Sequence, residues 1–582
     1  MSNKVVEIQN LISREDLPTH IASLWESWNS QRQGWLAEKK ELRNYLFATD
    51  TSTTSNRTLP WKNSTTVPKL CQLRDNLHSN YLSAITINEN WIKWEAGNLE
   101  AATIDVKRAV TAYMNSKVRE RNLRDKISQL LYDYIDYGNA FAEVVWVNET
   151  REGEAGETDV VYVGPDIQRI SPLDIVFNPV APSFAESPKI RRYIKSIGEL
   201  KRDKDVYTDM PSFQAALDKL MQVRNEIGSY KVTDVDKAAA FSIDGFGSLY
   251  EYYSSGYVEI LEFEGDIHSP LTGEMLTNKR ITIVDRSYLA LEEDMPSWFG
   301  KSYKLHVGWR KRPDNLYCMG PLDNLVGMQY RIDHLENAKA DAMDLAIHPP
   351  IAVQGNVEEF SWGPGEVIDM GDDGNIVELG KNLNAVLAAQ NDIAQMEFKM
   401  EELAGAPKQA MGIRTPGEKT AFEVQTLENA AGRIFQEKVN NFEVNLLEPA
   451  LNMMLELSRR KMHGTDVVSI IDDDLGVEEF INITKEDITA KGKIRAVGSR
   501  HFAAKAQLIQ NVTSIFNTMV GQKLEPHTSA LALSQLIEDV MGLERYQLFK
   551  ENIGVEEQLR TQQLVQEMQT QQEIEASTPM EM

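Results

Sequence analysis

The sequence predicts an α+β fold, on three observations. Apolar residues recur at helical spacing through most of the first 137 positions. Short runs that alternate β-branched and polar residues fill the stretch from Phe141 to Trp309. From Pro321 onward long helical patterns return, broken by a segment rich in Gly, Asp and Pro.

Taken in order, residues 1–50 read as amphipathic helix, with Leu11, Ile21, Leu24, Trp25, Trp35, Leu42 and Tyr45 as its apolar positions. A polar loop starting at Thr51 separates it from a second helix, Pro68 to Ser83. Helix resumes over 100–137 and breaks at Gly138. Phe141–Val147 and Asp159–Val163 read as a hairpin around the charged turn 149–158. Prolines 172 and 179 bracket a strand, which favours a sheet edge because proline cannot donate to the ladder. Residues 196–240 read as polar helix, and strands are expected at Val258–Phe263, Arg280–Val284 and Lys304–Trp309.

Pro321 to Ile347 reads as one long helix, stopped by His348-Pro349-Pro350 because a residue before proline is driven out of the helical region. A β and turn segment runs from Ile351 to Gly380, and a second helix from Asn382 to Leu403. After a loop at Gly405–Gly417, Thr415-Pro416-Gly417-Glu418 reads as a capping box with proline at the first helical position. The helix it starts reaches Met462, on the order of 65 Å long, with a kink expected at Pro449. Short strands follow at 467–471, 481–483 and 494–497. Helix then runs from Phe502 to Gln569 and ends in an acidic Gln/Glu-rich tail.

Hydrophobic residues make up 42% of the 582 positions and charged residues 25%, enough for a sizeable core. No run of eighteen apolar residues occurs, so no membrane span is expected, and the N-terminus lacks a signal-peptide pattern. Cys71 and Cys318 allow one disulfide or two free thiols, the second expected in a reducing compartment. With nine scattered histidines they give no zinc cluster. The net charge of −26 opposes phosphate-driven binding, which needs basic surfaces. The chain either does not meet nucleic acid or meets it without holding it.

Motifs for chemistry fail on inspection. Gly300-Lys301-Ser302 is a fragment of a phosphate loop whose first glycine position is Met295, so a turn before a strand is expected. Gly245-Phe-Gly247 has Tyr250 where a dinucleotide loop needs its last glycine. Asp369 to Gly380 lacks calcium ligands at the third and twelfth positions. Asp472-Asp473-Asp474 reads as a solvated acidic turn, with a nuclease-like ion site as the alternative. Trp309-Arg310-Lys311-Arg312 is a solvated loop or a contact for phosphate or an acidic partner. No enzyme activity, cofactor or metal is expected.

Residues 313–424 carry a resemblance. Pro313 to Asp323 leads into a helix containing His334-Leu-Glu-Asn-Ala-Lys-Ala-Asp-Ala342, which ends at Pro349-Pro350. A Gly-rich β insert follows, then a helix closing in Glu401-Glu-Leu-Ala-Gly-Ala-Pro407, then Gly412-Ile-Arg-Thr-Pro-Gly-Glu-Lys-Thr-Ala421 and the long helix. Together with Pro60-Trp61, Thr66-Val-Pro68 and Ile170-Ser-Pro-Leu-Asp174, this ordered set resembles the portal (head-to-tail connector) proteins of tailed double-stranded DNA phages, especially short-tailed ones. No single motif is diagnostic.

The resemblance implies a dodecameric ring at one capsid vertex, through which DNA is packaged and ejected. It implies N-terminal helices and wing over 1–320, stem helices at 321–346 and 382–404, and a clip at 347–381. A channel loop at 405–418, a spine helix with the remaining wing strands over 419–500 and a helical crown at 501–582 complete the set. The expected partners are further copies of the chain, the major capsid protein and scaffold, the large terminase subunit, head–tail adaptor or tail proteins, and duplex DNA passing non-specifically; no membrane is involved. The expected location is the virion, after assembly in the host cytoplasm. Lys408, Gln409 and Arg414 are the channel-loop candidates, either touching passing phosphates or pairing with Glu401, Glu402 or Glu418. Glu358, Glu359, Trp362, Asp372 and Asp373 are the clip's docking candidates. The clip strands pair with neighbouring subunits or form an ordinary hairpin. Another virion structural protein, such as an adaptor or scaffold, and a DNA-packaging enzyme are the alternative functions.

Overall fold

The computed structural model describes residues 5–54, 57, 62–86, 91–97, 104–152, 158–206, 211–227, 256–295, 302–347, 351–354, 375–378, 383–404, 434–472, 477–496 and 534. The chain divides into two compact units, Met1–Ala496 and Val497–Met582. All elements named below belong to the first, which is a mixed α+β body.

The N-terminal region is not one helix. Strand β1 (Val5–Glu7) and a 3-10 turn precede α1 (Leu17–Gln31), so Leu11 lies outside it. Leu17, Ile21 and Trp25 recur at i, i+4 and i+8 and bury one stripe of α1 beside Val176, Leu261 and Phe263. The helical pattern breaks at Arg32 before α2 (Gln33–Leu46). The Arg32 guanidinium donates to the carbonyl oxygens of Pro172 and Ile175 at 2.7 Å each and of Leu173 at 2.6 Å. Helix α3 (Lys69–Ile85) matches the expected second helix. A short strand β2 (Ile92–Ala96) follows, which the sequence did not announce.

Residues 100–137 form two helices, α4 (Ile104–Glu120) and α5 (Leu123–Asp136). Asn122 between them has φ +45°, a left-handed conformation that asparagine tolerates better than most residues. The break expected at Gly138 is real: its φ is +68°, and a Cβ there would lie 2.3 Å from the Gly320 nitrogen. Only glycine fits that contact.

Strands β3 (Asn139–Glu152) and β4 (Thr158–Ile170) form the expected hairpin, longer than its alternating core suggested. Strand β5 (Ile175–Phe177) occupies the edge position that its flanking prolines favour. It pairs with β6 (Lys189–Ser196), after which come α6 (Ile197–Val206) and α7 (Pro211–Ile227). Strands β7 (Tyr257–His268), β8 (Met275–Val284) and β9 (Tyr288–Asp294) complete an antiparallel sheet in the order β5-β6-β7-β8-β9, with β1 added in parallel to β7. Strand β10 (Lys304–Gly308) joins the other side of β3, giving the order β10-β3-β4. The basic run at 310–312 is strand β11 (Arg310–Arg312), paired with β12 (Asn315–Met319), rather than a loop.

Helix α8 (Val326–Ile347) leads to β13 (Ile351–Gln354), which pairs antiparallel with β14 (Asn375–Glu378) before α9 (Leu383–Ala404). Helix resumes at 434, passes through a π-turn at Glu443–Leu447, and continues as α10 (Glu448–Lys461). The π-turn explains how Pro449 is accommodated. Proline cannot donate to the carbonyl four residues back, and here the Glu448 N–H reaches Glu443 instead. Asn445 Nδ2 caps the Asn441 carbonyl at 3.0 Å. Strands β15 (Thr465–Asp472) and β16 (Val477–Thr484) form a hairpin, and β17 (Gly492–Ala496) pairs with β2. The largest core gathers α2 to α5, α10, β3, β10 and the β2–β17 pair around Trp94, Tyr113, Tyr134 and Phe442.

Candidate functional site

The α8–α9 helical hairpin is where the fold is least self-sufficient. Its base is firmly rooted. Ile332, Ile393, Met400 and Ala404 belong to the main core. One face of α8 carries Gln329, Asp333, Asn337 and Asp341 at four-residue spacing, which puts them in a row. This row binds the backbone of residues 62–70. Asp341 accepts from the N–H groups of Lys62 at 2.9 Å and Asn63 at 3.1 Å. Asn337 both accepts from the Thr65 N–H and donates to the Thr65 carbonyl, each at 2.8 Å. Asp333 accepts from Val67 N–H at 3.0 Å. Gln329 accepts from Leu70 N–H at 3.2 Å and donates to the Val67 carbonyl at 2.6 Å. An extended segment is thus held on a helix much as a strand is held on a sheet edge. The backbone amides of Lys62 and Asn63 also hold the Asp341 carboxyl below its usual range, against the effect of burial. At the base of α9, Lys69 and Glu401 form a buried ion pair at 2.7 Å.

The rest of the hairpin is exposed. On α9, Leu387, Ala394 and Phe398 lie at i, i+7 and i+11, so they share one side. That side is distinct from the core-facing Ile393, Met396, Met400 and Ala404. Leu387 is 61% and Phe398 53% exposed. The distal end of α8 and the strand pair add exposed Met343, Leu345, Ile347, Val353 and Val377. Ala338, Ala340, Ala342 and Ala346 are half-buried, and α8 and α9 pack against each other. Large apolar side chains are thus exposed on the part of the hairpin away from its rooted base.

A second constellation, which no motif announces, lies where the two sheets meet. Glu143 on β3 and Glu262 and Glu264 on β7 bring three carboxylates close enough to share a cation. The Lys304 ammonium fills that position, 2.5 Å from Glu262, 2.6 Å from Glu264 and 3.3 Å from Glu143. Arg280 adds a bond to Glu264 at 2.7 Å, and Arg191 pairs with Glu143. Burial opposes the Lys304 charge, but the three carboxylates outweigh it and hold its pKa above the usual lysine range. Burial likewise opposes the Glu264 charge, and Lys304 and Arg280 overcome it and hold that carboxyl well below its usual range. Nearby Lys189 is buried and pushed down to about 8, burial outweighing the attraction of Glu264. With an ammonium at its centre the cluster does not fit a metal ion; it acts as an ionic tie between the sheets. The signal was hidden because its members come from five strands.

The residues singled out from the sequence fare differently. Lys408, Gln409 and Arg414, and Glu358, Glu359, Trp362, Asp372 and Asp373, lie outside the described residues. The two described strands of the 351–380 segment, β13 and β14, pair with each other. Arg310, Lys311 and Arg312 are exposed, while Trp309 is buried under them. The Trp309 ring has the Lys438 ammonium 4.9 Å and the Arg310 guanidinium 5.1 Å from its centroid. Its indole N–H donates to the Tyr81 hydroxyl at 3.1 Å. Cys71 and Cys318 are both free thiols. Among the described residues no helix is long and apolar enough to cross a membrane. A scan against models of protein families finds no match to this chain, and neither does a search of curated proteins.

Proposed function

We propose that the chain is a portal-type ring subunit, forming the conduit at one capsid vertex through which duplex DNA is packaged and ejected. The observation that carries this reading is the α8–α9 hairpin, rooted in the core at one end and apolar on its outer side at the other. A ring of identical subunits gives every such face the same partner, because each copy offers one surface and receives another. The two-stranded β13–β14 sheet at its tip is too small to be stable alone and gains from neighbours in the same ring. The net charge of −26 suits a conduit, since walls that do not grip phosphate let DNA slide. In this reading α8 and α9 are the stem, the segment between them docks the packaging motor and later the tail adaptor, and the loop after α9 faces the channel.

The test is the assembly itself. Electron microscopy of the purified protein is expected to show closed rings with a central channel. Leu387→Glu with Phe398→Glu places charges on the exposed stripe and is expected to yield monomers with unchanged circular dichroism. Wild-type protein that stays monomeric at high concentration contradicts the proposal. Hydrolysis of ATP by the pure wild-type protein would point instead to a packaging enzyme.

A further inference from the structure

Between the α1–α2 corner, the β11–β12 hairpin and Pro179 lies a cavity of about 260 Å³. Arg32, Trp35, Tyr317 and Arg312 form much of its wall. Arg32 is only 3% exposed, yet its hydrogen bonds go to neutral oxygens: three backbone carbonyls and Asn29 Oδ1. No carboxylate bonds to it among the described residues. A buried guanidinium that no carboxylate bonds is a costly arrangement; burial pushes its pKa below the usual arginine range, and the weaker attraction of Asp174 does not offset it. The Tyr317 hydroxyl lies against that guanidinium, which partly offsets the upward push of burial on the phenol.

Two donors in the wall are left over. Both the Trp35 indole N–H and the Tyr317 hydroxyl are shielded from solvent; the Tyr317 oxygen faces the Arg32 guanidinium, and neither the indole N–H nor the phenol O–H donates to an acceptor among the described residues. Buried donors of this kind are normally satisfied, so both are available to an acceptor that enters the cavity. The surrounding surface is aromatic. The Trp35 and Tyr317 rings stand 5.0 Å apart, and Tyr317 stacks on Phe177 at 4.5 Å. Arg312, exposed on β11, adds a second positive charge at the rim, against one negative charge from Glu38.

We infer that this cavity binds a carboxylate carried on an apolar or aromatic body. The carboxylate accepts from Trp35 Nε1–H and from the Tyr317 hydroxyl, whose oxygen rests against Arg32, so that the arginine charge acts through the phenol. Arg312 covers the outer edge. The inference is independent of the ring assembly, because every group it uses belongs to one chain. The carboxylate comes either from a small molecule or from an Asp, Glu or C-terminus of a protein segment.

Calorimetric titration of the full-length protein distinguishes the cases. Benzoate is the small probe, benzamide its uncharged control, and a peptide of residues 571–582 the acidic segment. Benzoate or the peptide is expected to bind one site per chain. Tyr317→Phe removes one donor and keeps the ring, Trp35→Phe removes the other and leaves a smaller aromatic ring, and each is expected to weaken binding about tenfold. Benzamide is expected to bind at least tenfold more weakly than benzoate. Benzoate binding alone assigns the site to a free carboxylate. Peptide binding, with or without displacement by benzoate, assigns it to a protein segment. The inference is overturned if neither probe binds to protein whose melting is normal, if both variants bind as tightly as wild type, or if benzamide binds as well as benzoate.

Discussion

Lys304 does at one point what a divalent ion does elsewhere: it neutralises three carboxylates that could not otherwise share a buried space. Removing a partner from such a network leaves charges buried and uncompensated. Lys304→Met is therefore expected to lower unfolding free energy by about 3–5 kcal/mol at neutral pH, measured by urea denaturation. His306 makes a different prediction. It lies among the rings of Phe141, Phe177 and Phe184 and bonds to Asn139 Oδ1 at 2.9 Å. Burial, with a smaller push from Lys311, brings its pKa down to about 3. An unfolded histidine titrates near 6.5. Its contribution is therefore fully present above pH 6.5 and is lost as pH falls toward 3, at about 1.4 kcal/mol per unit. Between pH 6.5 and 5, His306→Gln is expected to lose about 2 kcal/mol less stability than wild type. The comparison must be between the two proteins, because Asp133 works the other way. Burial raises its carboxyl to about 6 despite the paired Arg169, so its contribution improves as pH falls below 6. An identical acid response in both proteins would show that His306 titrates normally.

At the scale of elements, the row Gln329, Asp333, Asn337 and Asp341 fixes how α8 leaves the body. Asn337 alone makes two bonds to the Thr65 backbone. Asn337→Leu removes both and leaves the Thr65 groups unpaired, so a loss of about 2–3 kcal/mol is expected. Hydrogen exchange at Thr65 and Val67 is expected to quicken more than exchange in β3; uniform exchange across the protein would refute this local role. Elements were legible where local chemistry decides them. Prolines placed the edge strand β5 and the end of α8, and alternation placed β3, β4, β7 and β8. Breaks inside long helical patterns were not legible, because Arg32 and Asn122 interrupt helices for reasons that lie in distant contacts or in backbone conformation. The β2–β17 pair was half legible, since its strands lie hundreds of residues apart and β2 gains its partner only on folding. The same holds for the site. The projecting helices could be read from spacing, but the polar row could not be assigned until the 62–70 backbone was seen lying on it. The ionic tie was invisible, its members being ordinary surface residue types on separate strands.

The whole molecule combines a strongly acidic sequence with a helical hairpin rooted in the core at one end and bearing exposed apolar side chains along the rest. Replacing residues 351–380 by a short linker is expected to leave rings that form but heads that do not fill, since α8 and α9 are anchored at the opposite end. Lys408→Ala with Arg414→Ala is expected to leave assembly intact while lowering DNA packaging or retention, if those bases touch passing phosphates. A fall in ring stability instead would assign them to pairing with neighbouring glutamates. The most direct measurement is electron microscopy of the purified wild-type chain beside the Leu387→Glu, Phe398→Glu variant. The proposed ring assembly predicts closed, rotationally symmetric rings with an open channel for the first and folded monomers for the second. Monomers in both, or unchanged rings in the variant, would contradict it.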